Sequence, residues 1–177
     1  MQIGRPKNVR LPVVSRTEVI LYLEFTGINK EIMFFDIHNF ADLQEKRGKC
    51  IKTETIRACG HVWKLKIFPR GNKASKTDAE YTGIYLCCAD ENIETNPVHA
   101  RVSIRTKTMT DNLGDVKYAH TYHVKYFFHP DKIFVGFEDF KKREDIIQQD
   151  LNQQGTLTIE IELEIPTEKR EVWAPNT

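Results

Sequence analysis

Residues 60–71 read GHVWKLKIFPRG, and this stretch decides the fold class. Apolar and basic side chains alternate through it, so one face of the segment is apolar and the other is positively charged. Such a period of two predicts a half-buried β-strand. The turn at 69–71 is predicted to end the strand, because Pro donates no backbone hydrogen bond and Gly accepts a positive φ. The alternating residues are Trp63, Leu65 and Ile67 on one face and Lys64 and Lys66 on the other.

Further segments with the same alternation follow along the chain, and they predict an all-β protein. The last of them, 156–165, has Leu or Ile at every second position and Thr or Glu between. A helix is predicted near 137–150, because its apolar residues have an approximately helical spacing. The pattern therefore predicts an antiparallel β-sandwich of about eight strands with one short helix. The other predicted strands are 31–40, 50–58, 81–88, 98–107 and 117–128.

The chain of 177 residues is long enough for one domain with a substantial core. We expect a flexible, polar and basic N-terminal arm over 1–17, a single domain over 18–166 and a polar tail over 167–177. The apolar segment 18–26 is expected to add an edge strand or to cover an open edge. The predicted core contains Trp63, Leu65, Ile67, Leu157, Ile159 and Ile161.

Charge and cysteine content limit the classes of function. The chain has 26 basic and 25 acidic side chains, a net charge of +1, which gives no bulk electrostatic case for nucleic acid or an anionic membrane. The N-terminus lacks the apolar run of a signal peptide. The adjacent residues Cys87 and Cys88 are predicted to face opposite ways on a strand, and with Cys50 and Cys59 they are expected to stay reduced, in the cytoplasm or nucleus.

No catalytic or metal-binding motif emerges from the sequence. His120 and His123 face opposite sides of a strand, so they cannot chelate one ion without a bulge. A nucleophilic pair of Cys59 with His61, or of Cys87 with a distant histidine, is conceivable, but a core or rim cysteine is the favoured interpretation. We therefore expect no metal, no cofactor and no enzymatic activity.

Four segments stand out by their order and spacing: FDIHNF (35–40), WKLKIFPRG (63–71), YTGIYL (81–86) and VGFEDF (135–140). In that order and spacing they resemble the MATH domain found in TRAF adaptors, meprins and the speckle-type POZ ubiquitin-ligase adaptors. The resemblance covers about residues 32–166 and implies a TRAF-like β-sandwich. One departure is that Phe35 stands where the family usually has Trp.

The resemblance implies a shallow peptide-binding groove on one sheet. By position its residues are Tyr85, Val102, Tyr122 (with Tyr126 as the alternative), Val135, Gly136 and Phe137. We expect the three aromatic residues, from separate segments, to line one surface with the two valines between them. Val135 stands where the speckle-type proteins have Trp, and Ile133-Phe134 replaces a Lys-Asp pair, so their peptide specificity is not carried over.

The expected function is a non-catalytic protein-interaction module that binds an extended peptide segment of a partner protein. The family implies a substrate-recognition or adaptor role in ubiquitination or signalling. The alternative, from another class, is a structural sandwich that forms homo-oligomers through an edge strand.

Overall fold

A computed structural model of the chain describes residues 13–18, 27–73, 80–108 and 117–167; for 13–18, 108 and 117–122 it describes the backbone alone. These residues form two antiparallel five-stranded sheets and one short helix. The first sheet has the order β1-β2-β10-β7-β8, with bounds Val13–Glu18, Ile28–Ile37, Leu157–Pro166, Val98–Thr108 and Lys117–Phe128.

The second sheet has the order β3-β5-β6-β9, and the short strand β4 also pairs with β5. Their bounds are Ile51–Lys52 for β3, Ile56–Ala58 for β4, His61–Phe68 for β5, Tyr81–Cys88 for β6 and Phe134–Lys142 for β9. Helix α1, Arg143–Gln149, follows β9 directly. The predicted fold class, an all-β antiparallel sandwich with one short helix, is confirmed.

The core lies between the sheets and is formed by the alternating residues of both. All six predicted core residues are fully buried, so this prediction is confirmed. Trp63 is central to the core, because its ring meets Phe128 of the other sheet edge-on at 5.1 Å between centroids. Its indole N–H donates to the backbone oxygen of Ala58 at 3.0 Å, which satisfies the buried donor.

The predicted helix over 137–150 is wrong in its first half, which is strand β9. The pairing of β6 with β9 is irregular between Thr82 and Ile84. Thr82 pairs with Lys141 and Ile84 pairs with Phe137, so β9 has more residues than β6 between these two pairs. This bulge lets Phe137 and Phe140 both pack against the core although they are three residues apart. The predicted helical stripe consisted of Phe140, Ile146, Ile147 and Leu151, and its first member thus lies in a strand.

The chain termini and two strands differ from the predictions. Residues 13–17, expected in a flexible arm, belong with Glu18 to β1, which pairs with β2 along its whole length. Valine and threonine, which dominate this segment, favour extended backbone. The predicted strand 50–58 is interrupted and forms β3 and β4. The expected strand at 19–26, the arm at 1–12, the hairpin turn at 111–115 and the tail from 168 lie outside the described residues.

A buried ion pair connects β9 to the opposite sheet. The ammonium group of Lys141 contacts both carboxylate oxygens of Asp150 at 2.8 Å, and the hydroxyl of Thr106 on β7 donates to the same carboxylate at 2.9 Å. Asp150 is the residue at the C-terminal end of α1. This clasp, defined as Thr106, Lys141 and Asp150, holds the end of β9 against the first sheet.

All four cysteines are free thiols in this structure. Cys88 belongs to the core cluster whereas Cys87, also buried, does not, which agrees with the predicted opposite directions of the two side chains. In the part of the chain that the structure describes, no helix has the length and apolar character needed to cross a membrane.

Candidate functional site

Strand pairing divides the predicted groove residues between two faces. On β6, Tyr85 lies opposite Gly136 of β9, and the neighbouring residue Ile84 lies opposite Phe137. Ile84 is a core residue and Phe137 packs against the core, so Tyr85 points to the outer face of the same sheet. The expectation that Tyr85 and Phe137 line one surface is therefore wrong.

Most of the other predicted groove residues lie on the inner faces. Val102 on β7 and Val135 on β9 are buried members of the core, so they do not form part of an open surface. Tyr126 on β8 is half-buried and meets Phe128 edge-on at 4.8 Å. The backbone of Tyr122 pairs with Ile104, and its side chain lies outside the described residues.

Instead, Tyr85 is the centre of an aromatic pocket on the outer face of the second sheet. Its ring meets Phe68 edge-on at 5.7 Å and Phe134 edge-on at 5.9 Å. Phe134 remains 48% exposed, although large apolar side chains are usually covered. The pocket has a volume of about 260 Å³, and we call it the Tyr85 pocket; it is lined by Lys66, Phe68, Asn72, Tyr85, Phe134 and Glu138.

Polar groups surround the phenol of Tyr85. Partial burial and the nearby carboxylate of Glu138 raise the pKa of the phenol above its ordinary value, while a hydrogen bond with Asn72 opposes the rise. The hydroxyl therefore stays neutral throughout the physiological range and can both donate and accept. The pocket thus combines apolar ring edges with a neutral hydrogen-bonding group at its centre.

The pocket borders an edge strand. Among the described strands β9 pairs only with β6, so it is an edge strand of the second sheet. Strand β8, which precedes β9 and is the edge strand of the first sheet, contacts β9 at this end of the sandwich. We call the side of β9 that faces away from β6, from Phe134 to Gly136, the β9 edge.

Gly136 allows β6 and β9 to approach closely at this edge. A Cβ atom at this position would lie 2.0 Å from the backbone oxygen of Ile84 and 2.6 Å from the Cα atom of Tyr85. Both are backbone atoms that cannot move aside without disturbing β6. The glycine predicted as a groove residue therefore has a structural function, which is to place β9 directly beside Tyr85.

An extended segment paired with the β9 edge would point alternate side chains to opposite faces of the sheet. Those on the outer face would meet Phe134 and the Tyr85 pocket. Those on the inner face would turn toward Phe137 and the edge of β8, which carries Tyr126. Of the predicted groove residues, Tyr85, Gly136 and Phe137 thus lie at or beside this edge, although they do not form one surface.

Phe68 and Phe134 were not predicted as site residues. Phe68 continues the alternation of Lys64 and Lys66, so the sequence does contain the signal that it faces away from the core. The position of Phe134 depends on its pairing with Cys87, which links segments far apart in the chain. No local pattern reveals that pairing.

The chemistry of the thiols does not favour a nucleophilic site. Burial raises the pKa of Cys59 to about 12 and that of Cys88 to about 11, so both thiols are protonated at neutral pH. His61 does not activate a cysteine in this structure; its Nδ1 atom lies 2.5 Å from a carboxylate oxygen of Asp90. Among the described residues no group of three or more His, Cys, Asp or Glu side chains could hold a metal ion.

A second cavity, of about 440 Å³, lies at the end of the first sheet. It is bordered by Phe127, which is 41% exposed and stacks on His99 at 4.2 Å. An ion pair between Arg101 and Glu164 at 3.1 Å crosses the same surface. Strand β7 is paired on both sides at this surface, whereas β8, which contributes Lys125, Tyr126 and Phe127 to the cavity, is an edge strand of the first sheet.

Comparison with protein families identifies one match over most of the chain. Residues 32–163 match the MATH domain, and the two-sheet sandwich agrees with it. A comparison with curated proteins finds no match. Because the family match covers well over half of the sequence, this chain belongs to the MATH domain family, a family of protein-interaction modules.

Proposed function

We propose that this protein binds an extended segment of a partner protein along the β9 edge. The segment would add a strand to the second sheet and place one apolar side chain in the Tyr85 pocket. Main-chain hydrogen bonds would supply affinity, and the pocket would supply specificity, as in other complexes formed by strand addition.

The observation that carries the proposal is that an exposed aromatic residue and an unpaired strand edge coincide at Phe134. Soluble proteins usually protect edge strands with charges, Pro or covering elements, because unpaired backbone groups attract other strands. The β9 edge reads FVG, with no charged residue and no Pro. Beside it, three rings form a pocket of about 260 Å³, a size suited to one side chain.

We further propose that the protein has an adaptor or substrate-recognition role in ubiquitination or signalling, in the cytoplasm or nucleus. This role would resemble that of the TRAF and speckle-type POZ adaptors. Phe134 and Val135 differ from the residues that the speckle-type adaptors have at these positions, and this difference favours a different peptide preference. A shallow site that takes only one side chain of the bound segment into a pocket favours moderate affinity.

Selection from a displayed library of random 12-residue peptides, with the whole chain as bait, tests the proposal. The selected peptides are then titrated by fluorescence polarisation against the parent, Phe134→Ala and the control Phe127→Ala. Phe134 is preferred to Tyr85 because it is more exposed, so its removal disturbs folding less. Phe134→Ala should weaken binding at least tenfold, about 1.4 kcal/mol, while Phe127→Ala stays within about twofold.

Hydrogen exchange locates the bound segment. A strand added to β9 should slow exchange of backbone amides between Phe134 and Phe137. The proposal is overturned if selected peptides bind both variants equally, or if protection appears only on the first sheet.

Self-association through an edge strand is the alternative proposal. It rests on β1, which forms the other edge of the first sheet among the described strands. Light scattering with size-exclusion chromatography at several concentrations separates the two functions. A mass that rises with concentration while the peptide site stays available would favour self-association through β1.

A further inference from the structure

Three lysines lie together on the outer face of the second sheet, next to the Tyr85 pocket. Lys52 of β3 pairs directly with Lys66 of β5, and Lys64 lies two residues from Lys66 on the same face. Directly opposed side chains in a sheet have Cβ atoms about 5 Å apart, and like charges there are destabilising. The fold thus keeps an unfavourable arrangement of positive charge beside an open pocket.

No described residue neutralises this lysine cluster, which we define as Lys52, Lys64 and Lys66. Every ion pair described in the structure involves other residues. Glu138 lines the pocket, and the carboxylates of Glu138 and Asp139 both lie near enough to raise the pKa of the Tyr85 phenol. Two carboxylates against three ammonium groups leave this surface positive.

The outer face of the first sheet shows the opposite arrangement. There the acidic residues of β10 alternate with cations from both neighbouring strands, and Arg105 contacts Glu160 and Glu162 at once. Lys30 contacts Glu162 at 3.0 Å and Glu164 at 3.4 Å. The sequence therefore balances charge on one outer face and leaves it unbalanced on the face that carries the Tyr85 pocket.

Lys66 brings the positive charge to the binding edge. Its ammonium group lies 5.4 Å from the centroid of the Phe134 ring, so the side chain reaches across β6 to β9. We infer that the segment bound at the β9 edge is acidic, with Asp or Glu residues next to the apolar residue that enters the Tyr85 pocket. This inference rests on the proposed function and specifies the chemistry of its ligand.

An acidic peptide fits this surface better than nucleic acid or an anionic membrane. The pocket has room for one side chain, and the strand edge offers hydrogen bonds that only a peptide backbone can match in series. Nucleic acid and membrane surfaces are bound through broad positive fields, whereas this chain has a net charge of +1. A local cluster of three lysines suits two or three carboxylates on a short segment.

The experiment repeats the 12-residue peptide selection with the parent chain and with Lys64→Gln/Lys66→Gln. Lys125→Gln/Lys132→Gln, which removes the same charge from exposed positions on and beside β8, is the matched control. Peptides selected by the parent should be enriched in Asp and Glu near one apolar residue. The strongest of them should lose roughly 5- to 10-fold in affinity with Lys64→Gln/Lys66→Gln and stay within about twofold with the control.

Salt and neutral peptides supply the second measurement. The affinity of the acidic peptide should fall between 50 and 300 mM salt for the parent chain and much less for Lys64→Gln/Lys66→Gln, because exposed charges are screened. A version of the peptide with Asn and Gln in place of Asp and Glu should bind the parent and a Lys52→Gln/Lys64→Gln variant alike, because neither of these two lysines lines the Tyr85 pocket.

The outcomes separate this inference from the proposed function. Peptides that depend on Phe134 but show no acidic enrichment overturn the inference and leave the proposed function standing. If no peptide depends on Phe134, both fail. Binding of a single-stranded 20-nucleotide RNA or of phosphatidylserine vesicles through Lys64 and Lys66, without acidic peptides, also overturns it.

Discussion

Replacing Lys141 with Met is expected to destabilise the fold strongly, because it leaves the carboxylate of Asp150 buried without its ionic partner. The side chains of Lys141 and Asp150 are 5% and 0% exposed, so water cannot take the place of the ammonium group. Breaking a buried pair by removing one member typically costs about 3–5 kcal/mol. A domain of this size is stable by roughly 5–15 kcal/mol, so the loss is a large share of the total.

The whole clasp can be replaced to test this reasoning. The triple variant Lys141→Met/Asp150→Leu/Thr106→Val removes every polar member, so no buried charge is left unpaired. Replacing a buried ion pair by apolar residues of similar volume is often neutral or stabilising, and we expect the triple variant to recover most of the lost stability. The surface pair of Arg101 with Glu164 provides the control, since Arg101→Met should cost less than about 1 kcal/mol.

Urea unfolding monitored by Trp fluorescence and circular dichroism gives the free energies. For a chain of this length the single variant should melt roughly 6–20 °C below the parent. A Lys141→Met protein that melts within about 2 °C of the parent would refute the assignment of Asp150 as a buried, ion-paired carboxylate. A triple variant no more stable than the single one would refute the argument from desolvation.

Three further predictions concern the core, the β6–β9 contact and the thiols. Trp63→Ala should cost about 3–5 kcal/mol in the same unfolding experiment, and a melting temperature within a degree or two of the parent would contradict its place in the core. Gly136→Ala should cost about 3 kcal/mol or more, since its Cβ would overlap the backbone of β6; an unchanged stability would show that β9 lies further from β6. Iodoacetamide at pH 8 should label Cys50 first, because burial raises the pKa of each of the other thiols; labelling in another order would contradict this. Reducing agent should leave the melting temperature unchanged, and a lower melting temperature on reduction would show that a disulfide is present. The protected thiols are Cys59, Cys87 and Cys88.

The strands with a strict alternation could be predicted from the sequence, because each faces water on one side and the core on the other. In β5 and β10 the period of two in the sequence survives from end to end, and their bounds agree with the prediction to within a residue or two. The exception is Glu160 on the outer face of β10, which is buried in its contact with Arg105. Strand β9 could not be predicted in the same way. Its bulge interrupts the alternation, so local spacing alone indicates a helix where the paired backbone forms a strand.

The candidate site was predictable only in part, because its geometry depends on register between distant segments. The resemblance to the family selected Tyr85 and the segment around Gly136, and the structure places these two directly opposite each other. The resemblance could not reveal that Phe137 faces the core whereas Tyr85 faces outward, since a shift of one residue in the register exchanges the two faces of a strand. The burial of Lys141 was equally hidden, because a Lys followed by Lys142 and Arg143 ordinarily indicates a solvated position.

Strand β9 is protected over one half and open over the other, and this asymmetry argues for a specific binding edge. Its C-terminal half carries Glu138, Asp139 and Lys142, together with the bulge, and both features discourage pairing with another strand. Arg143, just beyond it, donates to the backbone oxygen of Ala41 at 2.8 Å, and the clasp fixes the same end to the first sheet. The N-terminal half, residues 134–137, contains neither a charged residue nor the bulge. An edge that is held rigidly at one end and left unpaired at the other loses little conformational entropy when a segment adds to it, so its affinity can come from a short contact.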